Sequence, residues 1–216
     1  MTYSLNEIDA LAKRAARGAG LSWGMSEEAG KALRWLTSFG FSGAGAFADV
    51  LDLNTRKSPA QLAPTSLDGI WRAADGVLCP LASGAAISDC AARLQGGETF
   101  TLEQVAHPLL VVPFAAWAAV RLSTPVCVAW GDRSVSTDGF SVFPNEASGQ
   151  MEDGIAPKLT CKCQAPPRGL PKFPAQRGIV SSASWARLTA YAQLTYAPAT
   201  EASRRLGAGA GEGDND

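Results

Sequence analysis

The residues able to do chemistry are few and scattered. There is one histidine, His107. A lone imidazole excludes the paired-histidine zinc motifs and any site that needs two imidazoles. It leaves His107 either as a general base beside a nucleophile or as a hydrogen-bonded structural residue between a strand and Pro108. Five cysteines (Cys79, Cys90, Cys127, Cys161 and Cys163) lie in a sequence that opens without an apolar leader, which points to reduced thiols in a cytoplasmic protein. Cys161 and Cys163 share a strand face with Leu159, while Lys158, Thr160 and Lys162 take the other face. That pattern reads as small core side chains. A metal site would need two more ligands from Cys79, Cys90, Cys127 or His107, and no second C-x-x-C supplies them. Neither a metal nor a cofactor is expected.

The segment from Leu78 to Gly84 offers more. A strand runs into a turn and then into a helix start, with Ser83 as the cap. The free N–H groups of Gly84, Ala85 and Ala86 would then point out of the helix end, where they can hold a carboxylate or a phosphate. A cysteine beside a helix N-terminus can also have a lowered pKa. Cys79 is therefore a catalytic candidate, and Ser83 and Gly84 are ligand-binding candidates. The plainer alternative is an ordinary Ser-Gly cap with Cys79 buried in the strand.

Three further groups carry weaker signals. Trp23, Glu27 and Arg34 crowd the second helix and its entry and can form a pocket mouth, with Glu27 as an acid or base; alternatively Glu27 and Lys31 are an i,i+4 pair on a solvated face. Asp132 is a ligand-binding candidate in a tight turn, where a turn role is the competing reading. Glu201, Ser203 and Arg204 precede a Gly-rich end and are candidates for partner contact, against a frayed terminus. No G-x-x-x-x-G-K-[ST] phosphate loop occurs, and the GAGAG near the end follows no strand, so it is not a dinucleotide fingerprint.

These residues need a scaffold. Ser4-x-x-Glu7 is a capping box, and Leu5, Ile8, Leu11, Ala12 and Ala15 then repeat at helical spacing up to Gly18. Ser26 caps a second helix ending near Gly40, and a third covers Gly43 to Leu51. Residues 53–66 read as a polar surface loop and Leu67–Ala74 as a short helix or turn. Gly76–Leu81 reads as a strand broken by Pro80, followed by a helix from Ser83 to about Leu94 closed by Gly96-Gly97. Glu98–Val105 alternates as a half-buried strand with Phe100, Leu102 and Gln104 on one side.

The apolar heart of the chain is Pro108–Trp130, whose single charge is Arg121. Its uninterrupted part, Pro108–Val120, has 13 residues and two prolines, short of the roughly 20 residues a membrane span needs. Pro108–Val112 reads as a strand. Periodicity leaves Phe114–Arg121 open between helix and strand. From Pro125 the pattern is β, with turns at Gly131–Arg133 and Asp138–Gly139 and strands at Ser134–Thr137, Phe140–Phe143 and Pro157–Gln164. A Pro-rich loop spans 166–178, and a last helix begins near Ser182 or Ser184 and ends before Pro198.

The formal net charge of −1 and the absence of a basic stripe argue against nucleic acid as a partner. Charged residues make up only 18% of the chain, a deficit that favours association with a partner subunit or a second copy. The expected architecture is α+β: one domain over residues 1–198, with helices at both ends of a mixed sheet built from residues 76–164, and a Gly-rich acidic tail over 199–216.

Three segments carry a resemblance: SLNEIDALAKRAARGAGLSWGMSEEAGKALRWL, LCPLASGAAISD and YAPATEASRRLGAGAGEGDND. Together they resemble a bacterial, mainly alphaproteobacterial, family known as a domain of unknown function. The resemblance spans nearly the whole chain and implies one domain that includes the tail. It implies no activity, cofactor or catalytic residue.

No motif fixes a reaction, so two function classes follow. The first is an accessory or binding subunit of a bacterial small-molecule catabolic system, docking through its low-charge surface and C-terminal arm, with a small anionic metabolite as a further partner. The second is a small-molecule enzyme whose pocket lies near the Cys79–Gly84 turn.

Overall fold

Ser4 caps the first helix as its spacing predicts: its Oγ accepts from the Glu7 N–H, and the Glu7 carboxylate accepts from the Ser4 N–H at 2.8 Å. The computed structural model describes residues 1–145, 154–165 and 170–196. Their order is β1 (Thr2–Ser4), α1 (Leu5–Gly18), α2 (Trp23–Ser38), α3 (Gly43–Asn54), α4 (Pro59–Leu62), β2 (Ile70–Trp71), α5 (Pro80–Asp89), α6 (Ala91–Gln95) and β3 (Phe100–Ala106). A 3-10 turn (Pro108–Val111) then leads into α7 (Val112–Leu122). β4 (Val126–Trp130), β5 (Arg133–Thr137), β6 (Val142–Pro144), β7 (Ile155–Cys163), β8 (Arg177–Ile179) and α8 (Ser182–Gln193) complete it. The fold is α+β.

Six strands form one mixed sheet in the order β2-β3-β7-β4-β5-β6, in which only the β2–β3 pair is parallel. The register places Phe100 and Val128 on either side of Cys161, and Leu102 and Trp130 on either side of Leu159. These side chains, all buried, make the inner face. Thr101, Thr160, Ala129 and Ser134 form a row on the other face.

α7 packs on this sheet through β4 and β5, and α2 and α5 pack on α7. It is buried from Val112 to Ala116 and again at Ala118 and Ala119, which explains why its periodicity was silent: a helix covered all round shows no polar stripe. α1, α2, α3 and α8 form a helical cluster on the far side. One continuous core joins Phe47 of α3, Trp71 of β2, Phe100 of β3 and Phe114 of α7. Each such side chain contributes about 1.5–3 kcal/mol by leaving water. No helix among the described residues is long and apolar enough to cross a membrane.

Several local expectations change. α2 begins at Trp23, not after Ser26: Ser22 is the cap, accepting from the Met25 N–H, and Ser26 is buried inside the helix. Residues 53–66 include the one-turn α4, and Leu67–Ala74 holds the short strand β2 rather than a helix. Pro80 does not break a strand but opens α5, where its missing N–H costs nothing. Only a single bridge, Leu78 to Val105, remains of the strand expected there. Pro108–Val112 is helical rather than extended, because His107 takes a left-handed φ of 42° that turns the chain into Pro108. Gln104 leaves the inner face: its φ of 52° shifts the phase, so Val105 is buried and Gln104 is exposed. The β1–β8 pair was not foreseen; Thr2 faces Ile179 and Ser4 faces Arg177 across it.

Candidate functional site

The turn from α1 to α2, the end of α3, α4 and one side of α5 enclose a cavity of about 370 Å³. Leu21, Met25, Leu62, Ala82 and Ala85 give it an apolar lining. Asn54, Arg56, Lys57, Cys79 and Asp89 supply its polar groups. A volume in this range suits a small metabolite.

Each polar group has a local cause for its position. Asn54 ends α3, is buried, and turns its Nδ2 onto the Cys79 Sγ at 3.0 Å. Arg56 follows in the left-handed region, at φ 68°, which is uncommon for a residue with a side chain. This kink carries the Arg56 and Lys57 side chains onto the cavity wall. Arg56 has no ion-pair or hydrogen-bond partner among the described residues, while Lys57 makes a loose pair with Asp75 at 3.8 Å. Cys79 is the N-cap of α5, and the Ser83 N–H bonds its carbonyl at 2.9 Å. Burial pushes the Cys79 thiol pKa up; the amides of Ala82 and Leu81, the Asn54 side chain and the Lys57 charge oppose that shift without cancelling it. Cys79 is therefore a neutral thiol at neutral pH.

Ser83 and Gly84 stand on the opposite side of α5. A Cβ on Gly84 would lie 2.3 Å from the Phe114 ring, so that face is packed against α7. The Ser83 Oγ is buried with no hydrogen-bond partner. Because α5 is capped four residues earlier than expected, at Cys79 rather than Ser83, the N–H groups of Gly84, Ala85 and Ala86 fall inside the helix and are not free to hold an anion.

The other candidates lie elsewhere. The His107 ring does not line the cavity; its Nε2 is 3.5 Å from Asp49 Oδ2. Arg187 holds the second oxygen of Asp49 at 2.7 Å and reaches Asp52 at 2.6 Å, and Asp52 also accepts from the Tyr191 hydroxyl. Burial lowers the His107 pKa, the Asp49 carboxylate raises it, and burial prevails. Glu27 pairs with Lys13 at 2.8 Å, not with Lys31, which takes Glu28. Trp23 is 72% exposed and lies under the Arg17 guanidinium, 4.5 Å from ring centre to Cζ. Trp23 and Glu27 line one groove, and Arg34 lines a different cleft beside Trp35 and Trp117, where it donates to Asn6. The three do not share a pocket mouth. Asp132 sits in the β4–β5 turn, its carbonyl accepting from Asn145. Glu201, Ser203 and Arg204 lie outside the described residues. Cys161 is buried, with its thiol pKa pushed far up, and no group of three or more metal-ligating side chains occurs among the described residues.

Sequence reasoning missed Asn54, Arg56 and Lys57. The available signal is a polar run, Asn54-Thr55-Arg56-Lys57, directly after an apolar helix, and such a run reads equally as a surface loop.

Residues 3–79 match the model of a family described as a protein of unknown function (DUF3726). The match ends at Cys79 and includes Asn54, Arg56 and Lys57, so one wall of the cavity lies within it. No curated protein matches the chain. Among solved structures, malate dehydrogenase from Entamoeba histolytica is similar with a TM-score of 0.42 and 11% identity, over 63% of this chain and 43% of that chain. This chain thus spans less than half of that enzyme's length, and a likeness at this level transfers no activity.

Proposed function

We propose that this chain is a binding subunit that holds a small organic acid with an apolar body in the cavity beside Cys79. The carrying observation is the lining itself: apolar walls with two cations, Arg56 and Lys57, on one of them. Arg56 supports the reading most. It is held in a left-handed backbone conformation and has no partner of its own among the described residues, which suits a clamp for an external anion. Binding is favoured over catalysis because the thiol of the cavity is kept protonated by burial, and the imidazole that could activate it is bound up with Asp49 on another surface. The low share of charged residues favours work alongside a partner subunit in small-molecule metabolism.

The test is calorimetric titration of 4-methylpentanoate into the wild-type chain and into Ala85→Trp, which fills the cavity from the half-buried α5 face. Binding to the wild type and a loss of at least about tenfold in the variant is the expected result. Equal binding by both proteins would place the ligand elsewhere, and no binding by either would remove the organic-acid reading.

A further inference from the structure

We infer that the ligand of this cavity is an α-amino acid with an apolar side chain, bound as a zwitterion. This rests on the organic-acid reading above and adds a second charge to it. Arg56 and Lys57 both come from the segment after α3. A different wall is α5, whose Ala82, Ala85 and Ala86 run along the cavity and lead to Asp89, which also lines it.

Asp89 has no evident structural employment. Among the described residues its carboxylate has no ion pair and no hydrogen bond, and it makes no capping bond to α6. It is the last residue of α5, where a carboxylate opposes the helix dipole. An exposed, unpartnered carboxylate on the wall of a cavity is free to take a positive charge that a ligand brings.

A ligand with only a carboxylate would satisfy the cations but bring a like charge towards Asp89. A ligand with only an ammonium would satisfy Asp89 and face two cations. A zwitterion answers both walls at once, its carboxylate on Arg56 and Lys57 and its ammonium on Asp89. The side chain is then left to Leu21, Met25 and Leu62. The same arrangement holds the deaminated acid more weakly than the amino acid, because Asp89 would be left beside an uncompensated anion.

The experiment uses the full chain and matched probes: L-leucine and L-methionine, their deaminated analogues 4-methylpentanoate and 4-(methylthio)butanoate, and the amine isopentylamine. Affinities are measured for the wild type, Asp89→Asn and Arg56→Gln. The wild type should prefer each amino acid over its single-charge analogues by about tenfold. Asp89→Asn should erase that preference by weakening the amino acids, while Arg56→Gln should weaken amino acids and acids by a similar factor. If 4-methylpentanoate binds the wild type as well as L-leucine does, the zwitterion is overturned and the organic-acid site stands. If Asp89→Asn keeps the preference, Asp89 is not the ammonium partner and the inference is equally overturned. If neither amino acids nor acids bind, both readings fail together. Asp89 is exposed, so its amide variant is expected to fold.

Discussion

Gly84→Ala should destabilise the protein although alanine is the better helix former. Gly84 lies in the interior of α5, where alanine alone would gain about 1 kcal/mol. The added Cβ, however, would meet three atoms of the Phe114 ring at 2.3, 2.6 and 2.8 Å, all well inside ordinary contact. Phe114 is fully buried, on the helix α7 that packs against both α5 and the sheet, so the ring can yield only by disturbing close-packed neighbours. Overpacking of this kind costs about 1–3 kcal/mol, and a contact this short lies at the upper end, which leaves a net loss of up to about 2 kcal/mol after the helix gain. Gly24 in α2 is the control: nothing lies within 4 Å of its would-be Cβ, so Gly24→Ala should be stabilised by about 0.5–1 kcal/mol. Urea denaturation of both variants with unchanged m values is the assay. With slopes of about 1–3 kcal/mol per molar, the two midpoints should fall on opposite sides of the wild type and about 1 M apart. If Gly84→Ala unfolded at or above the wild-type midpoint, the close α5–α7 contact that fixes the cavity wall would be refuted.

Ser83→Ala should stabilise by about 1 kcal/mol, since it removes a buried hydroxyl that has no partner, and it should leave ligand affinity unchanged; thermal unfolding and titration check both. His107 gives a pH signature. Its folded pKa is lowered, so the unfolded chain binds the proton more readily, and stability present above about pH 6.5 is lost as the pH falls towards the folded value. Unfolding midpoints between pH 5.5 and 7.5 should show that slope in the wild type and lose it in His107→Asn, whose asparagine tolerates the left-handed backbone. A slope retained by the variant would assign it to other groups. Alkylation of the native protein at pH 7.5, mapped by mass spectrometry, should label the half-buried Cys90 and Cys163 before Cys79 and Cys161; early labelling of Cys79 would contradict a protonated, buried thiol.

Much of the frame was readable because its signals are local. The Ser4–Glu7 capping box, the α1 stripe and the β4–β5 hairpin each depend on residues within a few positions of one another. The β1–β8 pair was not readable: it joins three-residue strands from the two ends of the described chain, and strands that short carry no period. The start of α5 was missed because Pro80 serves equally as a strand breaker and as a first helical residue, and because the buried Leu81, Ser83, Gly84 and Ile87 show no clean stripe. Cys79 was legible as a residue near a helix N-terminus, and the structure places it on the cavity wall. Its neighbours Asn54 and Arg56 were not, since the left-handed turn that brings Arg56 to the cavity is a backbone choice that no glycine or asparagine at that position announces. Trp23, Glu27 and Arg34 are close in sequence but diverge around α2, which puts Arg34 on a different cleft.

The most direct measurement of the central claim is a backbone amide NMR titration of the full chain with L-leucine and with 4-methylpentanoate. Shifts should concentrate at the α1–α2 turn, at Asn54 to Ala63 and along Cys79 to Asp89, the three segments that enclose the cavity. Shifts confined to the groove of Trp23 and Glu27, or to the surface around His107 and Asp49, would contradict the account, as would a spectrum that neither compound changes.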